Sequence, residues 1–149
     1  MVAVAHLVRF YVDESAAGLG LALAAARKDT IHVGHPLIPA CPRGALDTEW
    51  IPEVAKQDLV VITRDKKLRT KPVEVLALWE HGLRVFNIGG KNDLPTWEWL
   101  VRVVRHWTRM EEIVADRPVG PWIYMLNENR VDEFVPRDFS VNSVSGQSA

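Results

Sequence analysis

The chain of 149 residues is poor in several things, and each shortage removes a class of protein. It has one cysteine, Cys41, so neither an internal disulfide framework nor a Cys-x-x-Cys metal or redox motif can form. That usage suits a reducing compartment. No run of 18 apolar residues occurs, which argues against a membrane-spanning helix. The opening MVAVAHLVRFYVDES lacks both a basic segment and a long apolar stretch, so it does not read as a signal peptide, and a cytoplasmic protein is expected. Neither charge sign dominates: 18 Lys and Arg stand against 19 Asp and Glu. Nucleic acid could therefore be held only by a local basic patch. Gly18-Leu19-Gly20 lacks the third glycine of a dinucleotide fingerprint, and there is no P-loop and no Gly-x-Ser-x-Gly elbow.

What is present is an ordinary globular composition, 48% hydrophobic and 25% charged. Leu7–Val12 (LVRFYV), Thr30–Val33, Leu59–Thr63 (LVVIT) and Leu83–Ile88 (LRVFNI) are short branched or aromatic runs, the pattern of strands buried on both faces. Between them lie helical segments. Ala16–Arg27 follows Ser15 as a cap, and Thr48–Gln57 follows Asp47 as a cap. Pro72–His81 is closed by Gly82, and a long helix capped by Asp93 or Thr96 runs to about Ala115. Gly34–Gly44, with three prolines and two glycines, is a loop. The alternation predicts an α/β fold with a central parallel sheet and helices on both faces. Pro121–Met125 and Arg130–Val135 read as a C-terminal β-hairpin appendage. Residues 1–116 are thus expected to form the main domain and residues 117–137 the hairpin. Residues 138–149, rich in Ser and Asn, are expected to be a disordered tail.

In open parallel sheets, chemistry sits beyond the carboxyl ends of the strands. Asp13 closes the first predicted strand, Asp65 stands two residues past the third, and Asp47 opens a helix. Singly, each would be an ordinary turn or cap residue. Together they would place three carboxylates in one small volume, where each raises the pKa of the others unless a cation neutralises them. An oxygen-only set selects Mg²⁺ or Mn²⁺ over zinc. Glu14 and Glu49 are further candidate ligands, each with the alternative of being a solvated first-turn acid, and Glu74 is a weaker one. Arg64-Asp65-Lys66-Lys67-Leu68-Arg69-Thr70-Lys71 carries five basic residues in eight around the third acid. Such a run is normally a solvated face, yet at a strand end beside an acid it also suits a phosphate backbone. Arg64, Lys66, Lys67, Arg69 and Lys71 are the candidate contacts to such a phosphate backbone.

On the long helix, Arg102, Arg105, His106 and Arg109 are expected on a solvated polar face, with an extension of the phosphate-binding surface as the alternative, opposite a core stripe of Leu100, Val103, Val104 and Trp107. Of the six tryptophans, Trp79, Trp97 and Trp107 are expected in the core and Trp50, Trp99 and Trp122 at an interface. His32 and His35 lack a third ligand of zinc type nearby, and Cys41 lacks a partner base.

The stretch from Arg9 to Ile88 resembles PIN-like domains, the nuclease fold of the VapC-type toxins of bacterial toxin–antitoxin systems. The residues that carry the resemblance are RFYVDES, ALDTEWIPEVAKQDLVVITRDKK and KPVEVLALWEHGLRVFNI. In such domains a strand ends in Asp, a mid-chain helix brings an acid, and a hydrophobic strand leads to Thr-x-Asp. On that pattern Asp13 matches the first acid, Asp47 the second and Asp65 the third, with Glu49 an alternative second or a fourth. The resemblance implies a three-layer α/β/α fold and Mg²⁺- or Mn²⁺-dependent ribonuclease activity. It also implies a small antitoxin partner and pairing into a homodimer. Two alternatives stand beside it. One is a receiver-like phosphoacceptor using Asp13, Glu14, Asp65 and Lys91; the other is a catalytically inactive PIN-like binding scaffold.

Overall fold

In the computed structural model, residues 8–38, 42–90 and 94–137 are described. Cys41, Lys91, Asp93 and the tail 138–149 lie outside them. The described chain forms β1 (Phe10–Val12), a 3-10 turn (Glu14–Ala16), α1 (Ala17–Ala26), β2 (Thr30–His32) and α2 (Asp47–Lys56). Then come β3 (Val60–Thr63), α3 (Lys67–Thr70), α4 (Pro72–Glu80), β4 (Arg84–Ile88), α5 (Thr96–Asp116), β5 (Trp122–Leu126) and β6 (Val131–Phe134). One six-stranded sheet has the order β2-β1-β3-β4-β5-β6. Every neighbouring pair is parallel except β5 and β6. The C-terminal hairpin is present, and its first strand extends the parallel sheet by pairing residue for residue with β4, Arg84 opposite Trp122 through Ile88 opposite Leu126.

The strand alternation sorts the core into two layers. Phe10, Val12, Val60, Ile62 and Phe86 pack with Leu19 and Leu23 of α1 and with Val103, Met110 and Ile113 of α5. Tyr11, Val61 and Val85 face the other way, onto Trp50, Ile51 and Val54 of α2, Leu68 of α3 and Leu78 of α4. Period-two alternation thus aims Tyr11, and two residues later Asp13, at the α2 side. Gly20 is required where α1 lies on the sheet, because a Cβ there would stand 2.9 Å from the Cβ of His32 and 3.1 Å from that of Val12. Gly82, at φ +65°, ends α4 in the left-handed region that glycine adopts without strain.

Several expectations need correction. Ser15 lies inside the 3-10 turn and caps nothing; Asp13 and Ala16 occupy the cap positions there, without side-chain caps. Asp47 is the first residue of α2, and Leu46 is its N-cap. α5 starts at Thr96 with Pro95 as its N-cap. Trp97, expected in the core, is 67% exposed, whereas Trp50 and Trp122, expected at an interface, are 4% and 1% exposed. On α5, Val104 is exposed and His106 is buried, its Nε2 2.6 Å from the carbonyl oxygen of Asn127. The short α3, inside the basic run, was not foreseen.

Candidate functional site

Because β1 and β3 are parallel neighbours, both leave the sheet at the same rim. The backbone N–H of Asp13 still donates to Ile62, which carries the pairing one step past β1. Its side chain is 3% exposed. Both carboxylate oxygens are occupied: Ser15 donates its hydroxyl to Oδ1 at 2.5 Å and Thr63 donates to Oδ2 at 2.7 Å. Each hydroxyl in turn accepts a backbone N–H from the loop leaving β3, Arg64 on Ser15 at 3.2 Å and Asp65 on Thr63 at 3.0 Å. Two hydroxyls therefore relay the loop's amides to one buried carboxylate. Those bonds favour the charged form, but burial outweighs them and Asp65 and Asp47 add to it, so the Asp13 carboxyl is pushed up to about 7.

Asp65 is half-buried. Its Oδ1 accepts the N–H of Lys67 at 2.9 Å, so it also starts α3, and its carbonyl accepts the side-chain amide of Asn87 at 3.0 Å. Asp47 comes from the first turn of α2. The indole of Trp50, three residues on, donates to its Oδ1 at 2.8 Å. Burial raises the Asp47 carboxyl above its ordinary value; Asp65 and Glu74 push the same way, while Trp50 and Lys67 oppose them.

Asp13, Asp47 and Asp65 line one cavity of about 190 Å³, together with Tyr11, Glu14, Ser15 and Trp50. The exposed Glu14 accepts the N–H of Gly44 at 2.8 Å, which ties the proline-rich loop to this rim. Glu49 is elsewhere engaged: it is exposed and accepts the N–H of Leu46, the N-cap residue, at 3.2 Å, which closes the start of α2. It does not line the cavity. In kind, the oxygen-only donors and the uncompensated burial of Asp13 fit a hard divalent cation. In present spacing, no group of three or more His, Cys, Asp or Glu side chains among the described residues is gathered closely enough to hold an ion.

The five basic candidates divide. Lys66, Lys67 and Lys71 are exposed along α3 and its ends. Arg64 is turned inward: its Nε–H donates to the carbonyl of Ser15 at 2.5 Å and its guanidinium lies 4.0 Å from the centre of the Trp99 ring. Arg69 lines a separate groove with Pro72, Val75 and Phe134, with its guanidinium 5.6 Å from the Phe134 ring.

Sequence reasoning missed the supporting residues. In the sequence Thr63 stands out only as the first member of Thr-x-Asp, and Ser15 only as a residue in a helix-cap position. Trp50 stands at i+3 from Asp47, a spacing that brings side chains together on a helix and was the available signal. Asn87 carried none.

No curated protein and no solved structure gives a match to the chain. The profile of the PIN-like domain matches residues 8–90, which runs from just before β1, through all three acids, to just past the end of β4. With the parallel sheet, its flanking helices and the acids at its carboxyl rim, this establishes that the chain belongs to the PIN-like domain family, a nuclease-type fold.

Proposed function

We propose that the protein is a metal-dependent endoribonuclease that hydrolyses RNA phosphodiester bonds, and that it serves as the toxin of a toxin–antitoxin pair in the cytoplasm. The observation that carries the nuclease reading is the meeting of Asp13, Asp47 and Asp65 around one small cavity at the strand ends. Asp13, Asp47 and Asp65 would hold Mg²⁺ or Mn²⁺, with Glu14 the remaining acid at the rim. When bound, such an ion lowers the pKa of a coordinated water and offsets charge on the reacting phosphate. The chain's own groups do the rest. Ser15 and Thr63 fix both oxygens of Asp13, and Asn87 holds the backbone that carries Asp65. Lys66, Lys67 and Lys71 are exposed and would meet backbone phosphates. The toxin role rests on the VapC-type resemblance, as do the antitoxin partner and the homodimer.

The loose spacing of the acids favours one other reading, a PIN-like scaffold that binds without cutting. The receiver-like alternative leans on Lys91, outside the described residues, and gains nothing from the family match. The test is cleavage of total RNA by the purified chain with Mg²⁺ or Mn²⁺, alongside Asp65→Asn. Cleavage that requires the metal and is lost in the variant supports the nuclease. Equal cleavage by the variant would refute the site as located, and folded protein that takes up no Mn²⁺ and cuts nothing would leave the scaffold.

A further inference from the structure

Asp47 differs from the other two acids in how it is held. Asp13 and Asp65 are tied to each other through the Thr63 hydroxyl, and Ser15 ties Asp13 to the adjoining amide of Arg64. Asp47 arrives on a separate helix, from the far side of the proline-rich loop, and shares none of those bonds. What fixes it is the side chain three residues on. The Trp50 indole N–H donates to Asp47 Oδ1 at 2.8 Å, while its rings are buried in the core and stand 5.6 Å from Tyr11, centre to centre, on β1. Tyr11 is two residues before Asp13 on the same face of the sheet. One rigid indole therefore bridges the strand that delivers the first acid and the carboxylate that delivers the second.

We infer that Trp50 is a positioning residue, which sets one oxygen of Asp47 relative to Asp13 and leaves the other free toward the cavity for a divalent cation. The inference rests on the nuclease reading for the identity of the ligand, but its geometry can be tested without catalysis. An indole is suited to this task. It is a donor only, so it can orient a carboxylate without competing for the ion. Its planar body, locked by core packing, keeps the oxygen in one direction. Losing such an orienting bond typically weakens metal binding by about 10- to 100-fold.

The experiment records the six indole N–H signals of the ¹⁵N-labelled full chain by NMR, with Trp50→Phe identifying the Trp50 signal by its loss. Asp47→Ala, at the half-buried start of α2, should shift the Trp50 signal most and leave the others near their places. Substoichiometric Mn²⁺ should broaden Trp50 before the exposed Trp97. Trp50→Phe should weaken Mn²⁺ binding by about tenfold in the presence of Asp47 and add nothing in its absence.

A Trp50 signal unmoved by Asp47→Ala would overturn the inference, and so would an equal loss of Mn²⁺ affinity with and without Asp47. If Trp50→Phe does not fold, the Asp47→Ala shift and the Mn²⁺ broadening still decide it. A wild-type chain that binds no Mn²⁺ would bring down the nuclease reading and this inference together. Mn²⁺ binding with an unmoved indole would remove Trp50 alone.

Discussion

Replacing Asp13 by Asn should stabilise the metal-free protein at neutral and alkaline pH, although it removes a residue of the proposed site. The reason is the cost of keeping that carboxylate charged. Its pKa is 3.8 in the unfolded chain and about 7 in the fold. The folded state therefore binds more protons than the unfolded state between these values, and stability falls as pH rises through that window. Well below pH 3.8 there is no penalty. At pH 5 it is between about 1 and 2 kcal/mol, and above pH 7 it levels off at about 4 kcal/mol. Asparagine keeps the shape and removes the charge. It also turns one acceptor into a donor facing a hydroxyl whose proton now points at Asp13, and the rearrangement costs about 1 kcal/mol. The net gain above pH 7 is then about 2–3 kcal/mol, or about 4–12 °C in midpoint for a chain of this size.

The assay is thermal or urea unfolding of both proteins at pH 5 and pH 8 in EDTA. The gap should be wide at pH 8 and nearly closed at pH 5. Adding Mg²⁺ at pH 8 should raise the wild type and leave Asp13→Asn unchanged. An Asp13→Asn protein less stable than wild type at pH 8 in EDTA would show that the carboxylate is already compensated and that the argument from burial is mistaken.

Other substitutions separate structural from functional acids. Glu49→Ala should cost about 0.5–1 kcal/mol in urea unfolding, the size of a lost capping bond, and leave Mn²⁺ binding intact. A tenfold loss of Mn²⁺ affinity would instead make Glu49 a ligand. Gly20→Ala should cost about 1–3 kcal/mol, because the new methyl meets the β-carbons of Val12 and His32 rather than a flexible chain end; unchanged unfolding would refute that packing.

The parallel sheet was legible because its strands are buried on both faces, so LVRFYV, LVVIT and LRVFNI appear as unbroken apolar runs that no amphipathic helix would show. The three acids were legible because strand ends and helix starts can be located from those runs. What could not be read was which side of a helix faces inward. Trp50 and Trp97 are alike as residues, but one sits over Tyr11 and the other projects from the first turn of α5, a difference set by contacts distant in sequence. His106 is polar and yet buried, because Asn127, beyond β5, supplies its partner. The charged α3 gave no helical stripe, since it spans four residues and buries one, Leu68.

The hydroxyl relay means that Asp13 and Asp65 are not independent positions. The amide of Asp65 hangs on the Thr63 oxygen, whose own proton is aimed at Asp13. Any change at Asp13 that turns that hydroxyl loosens the loop carrying the third acid, and any change at Thr63 disturbs both acids at once. The effects of Asp13 and Asp65 substitutions on metal affinity should therefore sum to more than the double substitution costs. Ranking the acids by the loss each causes alone would count the shared hydroxyl twice.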